Sequence, residues 1–344
     1  MKSAGAGHDR LEVLDGFRAL SIAFVVTSHM LPMGKKAWDL NNAAGKLGMA
    51  LFFTLSGFLI VSQLHRNHNI ISFYIRRLFR IVPLAGLAVV IAWSFSDRPI
   101  THLLVNLAFL ENVYFPALLP HLGHFWSLCV EMHFYILVGL LMVVTRFRGF
   151  KALFPIWVFF VLLRALFRPT GTIETYFTID EILAGANLAL INFGYGPEWL
   201  RNTLRRVPWY AWAALLVLAS LTGTEPLHPL RSFSAASLVG SVLFSESETR
   251  FAVLRTRPLR YLAEISYALY VIHPATMIGW LGEGATPIIK YAKRPICFAL
   301  SWGLSHLSTF HYEKHFIALG KRLAKQAEQR DLARAESAAE ARPT

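Results

Sequence analysis

Leu14–Met30 reads LDGFRALSIAFVVTSHM, an apolar helix-forming run with an arginine near its start and a histidine near its end. Arg18 and His29 are eleven residues apart. At about 100° per residue this spacing is roughly three turns plus 20°, so both side chains leave one face of the helix, about 16 Å apart along its axis. Ionisable groups on an apolar, membrane-length helix are costly and usually face a cavity or a pathway. A basic anchor at Arg18 with an interfacial histidine at His29 is the other reading of the same spacing.

The composition around this run is that of a membrane protein. Of 344 residues, 55% are hydrophobic and 16% charged, and mean hydropathy is +0.44. Soluble domains carry roughly 25% charged residues. The formal charge is +13, but the basic residues cluster between apolar stretches, as the positive-inside rule requires, and nucleic-acid binding is not expected. Cys129 and Cys297 lie in apolar runs and give neither a disulfide framework nor metal-ligand spacing, so no metal is expected. With about 20 apolar residues per span, the chain reads as all-α and polytopic, with about ten transmembrane helices. They fall near 13–31, 47–64, 81–96, 124–145, 152–167, 175–193, 208–222, 230–245, 259–281 and 295–312. Basic residues concentrate in 65–80, 146–151, 194–207 and 246–258, which predicts both termini in the cytoplasm. No small-residue cleavage site follows the first span, which is expected to stay as an anchor. Residues 1–318 form the expected membrane domain and 319–344 a charged cytoplasmic tail that frays at its end.

Four further stretches carry polar chemistry. LFFTLSGFLI in the second span holds Ser56 and Gly57, which suit close helix packing or the approach of a ligand chain to the backbone. FYIRRLFRIVP groups Arg76, Arg77 and Arg80 on one helical patch, with Phe73, Ile75, Leu78 and Phe79 set against the membrane and Pro83 at the start of the third helix. Such a patch suits a phosphate, through the planar arginine fork, or anionic lipid headgroups. HFWSLCVEMHFY aligns His124, Ser127 and Glu131, and a glutamate inside a membrane helix is strained unless paired or functional. The long external segment 96–123, apolar enough to cover an outer mouth, delivers this stretch. Asp180 is a cavity candidate, and Glu181 reads as an interfacial cap. YLAEISYALYVIHP places Ser266, Tyr267, Tyr270 and His273 in the ninth span, with His273 at an expected kink before Pro274. Glu313 is expected to pair with Lys314 or an arginine.

In this order, Arg18-x10-His29, LFFTLSGFLI, FYIRRLFRIVP, FWSLCVEMHFY and ISYALYVIHP resemble acyltransferase family 3, the membrane proteins that O-acylate extracytoplasmic carbohydrates. The resemblance spans roughly residues 10 to 318. It implies a ten-helix bundle with its active site in the membrane and acyl-CoA as a cosubstrate from the cytoplasm, acetyl-CoA for the usual acetyl transfer, with no permanently bound cofactor. Arg18 and His29 match the family's essential pair, Arg76, Arg77 and Arg80 its donor-binding motif, and Ser127 and Glu131 its WSL-x-x-E motif. Ala50 stands where many members have an aspartate, and Tyr312–His315 replaces a common Ile-Glu-x-Pro run.

The expected function is therefore O-acyl transfer from acyl-CoA to a carbohydrate hydroxyl, in the bacterial inner membrane. A sugar hydroxyl needs a base near pH 7, and imidazole, with an ordinary pKa near 6.5, is suited to the task. His29 is the expected base, with Glu131 orienting it and Arg18 steadying phosphate or oxyanion; a covalent acyl-histidine relay is the variant. Ser127 is grouped with the donor-binding arginines, and Ser56, His124, Asp180, Tyr267 and His273 are expected at the acceptor or cavity. A transporter for an anionic or acylated solute is the alternative that uses the same polar residues.

Overall fold

The computed structural model describes residues 3–167, 171–245 and 251–340. Arg168, residues 246–250 of the expected cytoplasmic segment and the last four residues of the tail lie outside the described residues. Among the described residues the chain is all-helical. The first half comprises α1 (Ser3–Met30), α2 (Leu40–Arg66), α3 (Ile70–Ser94), α4 (Ile100–Leu107), α5 (Trp126–Val144), α6 (Leu153–Phe167) and α7 (Thr175–Asn192). The second half comprises α8 (Glu198–Arg206), α9 (Trp209–Leu218), α10 (Arg231–Leu243), α11 (Arg257–Ile272), α12 (Pro287–Ala292), α13 (Arg294–Leu307) and α14 (Lys314–Glu340). Four helical segments are long and apolar enough to cross a membrane: Glu12–Met30, Leu40–Arg66, Gly123–Val144 and Gly149–Phe167. Large apolar side chains such as Ile91, Leu140, Val144, Phe159 and Leu166 point outward, as lipid contact requires. The chain is an integral membrane protein.

Several boundaries differ from the sequence reading, each for a local reason. The third helix does not begin near Pro83. Asn69 caps it, its side chain accepting from the Ser72 amide at 2.7 Å, so the arginine stretch is the first half of α3 and Pro83 is internal. Proline removes one ladder donor there. Close to it, the carbonyls of Ile81 and Pro83 accept from the hydroxyls of Tyr267 (2.6 Å) and Tyr312 (3.2 Å), which tie this part of α3 to neighbouring elements. Phe73 is buried in the core, not set against the membrane. The ninth helix ends at Ile272 rather than 281, because His273-Pro274 breaks it into short 3-10 turns. The tenth runs on through a π-helical turn, Ser308–Glu313, into α14. Glu313 is buried in that turn, where it accepts from Ser308 (2.9 Å) and Thr309 (3.4 Å) rather than pairing with Lys314 or an arginine.

α2 is the centre of the bundle, flanked along its length by α1 and α7. The contact with α7 is backbone against backbone. A Cβ on Gly57 would strike the Ile182 carbonyl, and one on Gly185 the Thr54 carbonyl. Membrane helices gain no hydrophobic driving force from one another, so small residues that admit close approach carry much of the packing. Gly57 therefore serves packing, while Ser56, one position earlier, turns to α5. α14 crosses the expected boundary at 318/319 without a break and lies along α3: Ala324 is buried, and a Cβ on Gly320 would meet Phe79.

Gly57→Ala and Gly185→Ala should each destabilise the protein by about 1–3 kcal/mol through overpacking. Thermal unfolding in detergent should show both midpoints well below wild type, while Gly303→Ala, at a position with open space, should leave it unmoved.

Candidate active site

The polar residues of the first span lie in two chambers. α1 is one continuous helix, so Arg18 and His29 keep the calculated separation of about 16 Å. Arg18 lines a small inner pocket of about 70 Å³ with Arg77, Arg80, Ser56, Glu131 and Tyr267. His29 lines an outer cavity of about 850 Å³ with His124, Lys46, Glu181 and Arg231. Val25, Met49 and Tyr270 border both and form the partition between them. Phe52 stacks on the Tyr270 ring, with centroids 6.3 Å apart and planes 6° apart, which stiffens this wall.

The inner pocket places three arginines against one carboxylate. Glu131 is 5% exposed, and one of its oxygens accepts from Ser56 of α2 at 2.9 Å and Tyr135 of α5 at 2.6 Å. Arg77 bonds Gln63 at 3.2 Å and lies over the rings of Phe73 and Tyr135. Arg18 pairs with Asp15 at 3.1 Å. Arg76 leaves the group: it points to α14 and bonds Glu328 at 2.8 Å. The single patch read from the sequence is thus divided, with Arg77 and Arg80 at the pocket and Arg76 anchoring the C-terminal helix, which Asn67 also ties through Glu328.

The outer cavity has a different chemistry. His29 is exposed to it, and its Nδ1 lies 2.8 Å from Nε2 of the fully buried His273. Glu131 does not touch His29 in the described contacts; His273, not Glu131, is its neighbour. His124 lies 5.5 Å from His273, ring to ring. The Tyr270 hydroxyl donates to the His124 carbonyl, so Ser127 donates to Tyr270 across 2.6 Å. Ser127 is fully buried and supports the partition rather than lining the arginine pocket. Asp180 is also turned from the cavity, bonded by Arg164 at 2.9 Å. Glu181, read as an interfacial cap, is 2% exposed and takes Arg164 at 3.3 Å and Arg231 at 2.6 Å on the cavity wall. Two carboxylates between two arginines satisfy charges that would be prohibitive alone. At the mouth, bonds from Thr222 and Asn42 hold Asp39 below the usual carboxylate range and keep it ionised.

Sequence reasoning missed Tyr135, Arg164, Arg231 and Lys46. Tyr135 was reachable, four residues from Glu131 on the same helical face. Arg164 and Arg231 carry no such signal, because their partner Glu181 is brought from another helix.

This division, with cationic groups on one side of an aromatic partition and a histidine facing a polar cavity on the other, suits group transfer within a membrane. The family model of the acyltransferase domain, acyltransferase family 3, matches residues 11–300, and the chain belongs to this family. It is 28% identical over 319 residues to the Bacillus subtilis (strain 168) protein named "Putative peptidoglycan O-acetyltransferase YrhL", covering 77% of this chain and 48% of that protein. It is 25% identical over 329 residues to the Staphylococcus aureus (strain COL) protein named "Putative O-acetyltransferase SACOL0978", covering 81% and 53%. It is 23% identical over 342 residues to nodulation protein 10 of Rhizobium leguminosarum bv. viciae, covering 87% and 92%. The chain thus spans about half the length of the Bacillus and Staphylococcus relatives. No solved structure matches it significantly.

Glu131→Ala should cost about 1–3 kcal/mol by stranding two buried hydroxyls, and more if the arginines lose their counter-charge. Arg76→Ala removes a half-exposed pair and should cost less than about 1 kcal/mol. Thermal unfolding of the two purified variants in one detergent checks the order.

Proposed function

We propose that the protein is an acyl-CoA-dependent O-acetyltransferase acting on an extracytoplasmic carbohydrate. In this reading about ten helices cross the bacterial inner membrane and both termini are cytoplasmic. The observation that carries it is the pair of chambers meeting at Val25, Met49 and Tyr270. Arg77 and Arg80 take the donor's phosphates from the cytoplasmic side, where the planar guanidinium makes paired charge-assisted bonds. The acetyl thioester reaches toward the partition. The sugar hydroxyl enters the outer cavity, whose wall of paired charges and amides supplies hydrogen bonds to a polar ligand.

His29 removes the hydroxyl proton as oxygen attacks the thioester carbonyl carbon. The C–S bond then breaks, and coenzyme A leaves as thiolate and takes up the proton that His29 holds. Arg18, at the inner end of the same helix, offsets negative charge on the donor. The names of two relatives, which refer to O-acetyl transfer and in one case to peptidoglycan, support the acetyl group and the carbohydrate acceptor.

Purified protein in detergent, given radiolabelled acetyl-CoA and muropeptides as acceptor, tests the reading. Label should pass to the glycan, and His29→Ala and His29→Gln should both lower transfer by about 10²-fold or more, because neither takes up a proton near pH 7. Arg77→Ala and Arg80→Ala should weaken acetyl-CoA binding, and added salt should weaken it in wild type. Counterflow of solute without chemistry would identify a transporter instead.

Topology is tested separately. A reporter fused at Arg206 should signal cytoplasm and one at Leu227 the outside; the reverse signals would overturn the assignment.

A further inference from the structure

We infer that His273 is a positioning residue that sets the tautomer of His29, so that the Nε2 lone pair of His29 faces the outer cavity. The inference rests on the acyl-transfer reading for its consequence but not for its geometry. His273 follows the last residue of α11, and its Nδ1 lies 2.9 Å from the Leu269 carbonyl oxygen. A carbonyl only accepts, so Nδ1 of His273 carries the hydrogen. In a neutral ring the other nitrogen is then an acceptor. That nitrogen, Nε2, lies 2.8 Å from Nδ1 of His29, which therefore donates. The chain of bonds runs from His29 Nδ1–H to His273 Nε2, and from His273 Nδ1–H to the Leu269 carbonyl. Nε2 of His29 is left unprotonated.

The opposite polarity fails on two counts. If His273 donated from Nε2 as a neutral ring, its bare Nδ1 would face the Leu269 oxygen, lone pair against lone pair. If it donated from both nitrogens it would be an imidazolium, fully buried, bonded to one carbonyl and one imidazole and to no carboxylate. The rings meet with planes 15° apart and centroids at 5.1 Å, so the short N···N vector runs near both planes, along the lone-pair direction. The other titratable rings packed here are His124, 5.5 Å from His273, and Tyr270, 6.2 Å from it.

The chemical consequence concerns which nitrogen reacts. A free histidine side chain exchanges its proton between the two nitrogens, and the bond made by one nitrogen decides the state of the other. With Nδ1–H engaged, Nε2 accepts the proton of the attacking hydroxyl. The imidazolium so formed keeps its bond to His273, which stays neutral throughout. The proton then leaves from the same Nε2 to the departing thiolate.

The test uses the full chain labelled with 15N-histidine in detergent at pH 8, with His29 signals assigned by their loss in His29→Gln. Wild type should show His29 protonated at Nδ1 and bare at Nε2. His273→Ala should shift His29 toward the Nε2–H form. His273→Gln, whose side-chain oxygen reaches where Nε2 stood, should restore the Nδ1–H form. Hydrolysis of acetyl-CoA, with water as the acceptor, should fall about 10- to 100-fold in His273→Ala, similar to losing the outer partner of a metal-bound histidine, and recover in His273→Gln with acetyl-CoA binding unchanged. A wild-type Nε2–H tautomer, or a tautomer that ignores His273→Ala, overturns the inference. So does equal inactivity of the alanine and glutamine variants, which would make His273 itself the proton carrier. Should His273→Ala fail to fold, the wild-type and glutamine spectra still decide. If wild type consumes no acetyl-CoA, the functional reading fails while the tautomer result stands on its own.

Discussion

A carboxylate inside an apolar bundle has to be satisfied by the bundle itself, and Glu131 sets that constraint here. Its donors come from two helices, Ser56 on α2 and Tyr135 on α5, so the glutamate joins the central helix to its neighbour. Tyr135 also offers its ring to Arg77, which brings α3 to the same point. The inner pocket thus gathers Arg18, Arg77 and Arg80 beside this acid in one small space, with Asp15 as the direct partner of Arg18.

The outer half obeys the same rule with different residues. Arg164 and Arg231 enclose Glu181, and Arg164 also holds Asp180, linking α6, α7 and the start of α10. This network stiffens a wall of the larger cavity. Nearby, α1 and α11 bring His29 and His273 together although 244 residues separate them. Between the halves stands Tyr270, fixed by Ser127 below and the His124 carbonyl above, with Phe52 on its face. The pocket of Arg18, Arg77 and Arg80 and the cavity of His29 and His124 are thus separated by an apolar and aromatic wall.

The C-terminal end adds a further buried carboxylate. Glu313 is satisfied inside a π-helical turn by Ser308 and Thr309, and that turn continues α13 into α14. α14 then lies along α3 and takes Arg76 on Glu328. An arginine that stands with its neighbours in the sequence is thereby assigned to holding a helix.

The sequence by itself determined the helical class, the membrane setting and the order of the polar stretches. Those rest on local quantities: apolar run length, the 3.6-residue period and the sign of charge between runs. It also placed Arg18 and His29 on one stripe, a property of a single helix. The family model covering residues 11–300 agrees with the resemblance carried by those motifs. Only the tertiary structure decided the partners. Whether Arg76 faces a pocket or α14, whether Glu131 meets His29 or Ser56, and whether Asp180 or Glu181 lines the cavity depend on which helices become neighbours. His273 shows the difference most clearly. In the sequence it is a histidine before a proline, expected at a kink. Its bond to His29 exists because α11 ends where α1 ends, and helix-against-helix register is written in the packing of both, not in either one.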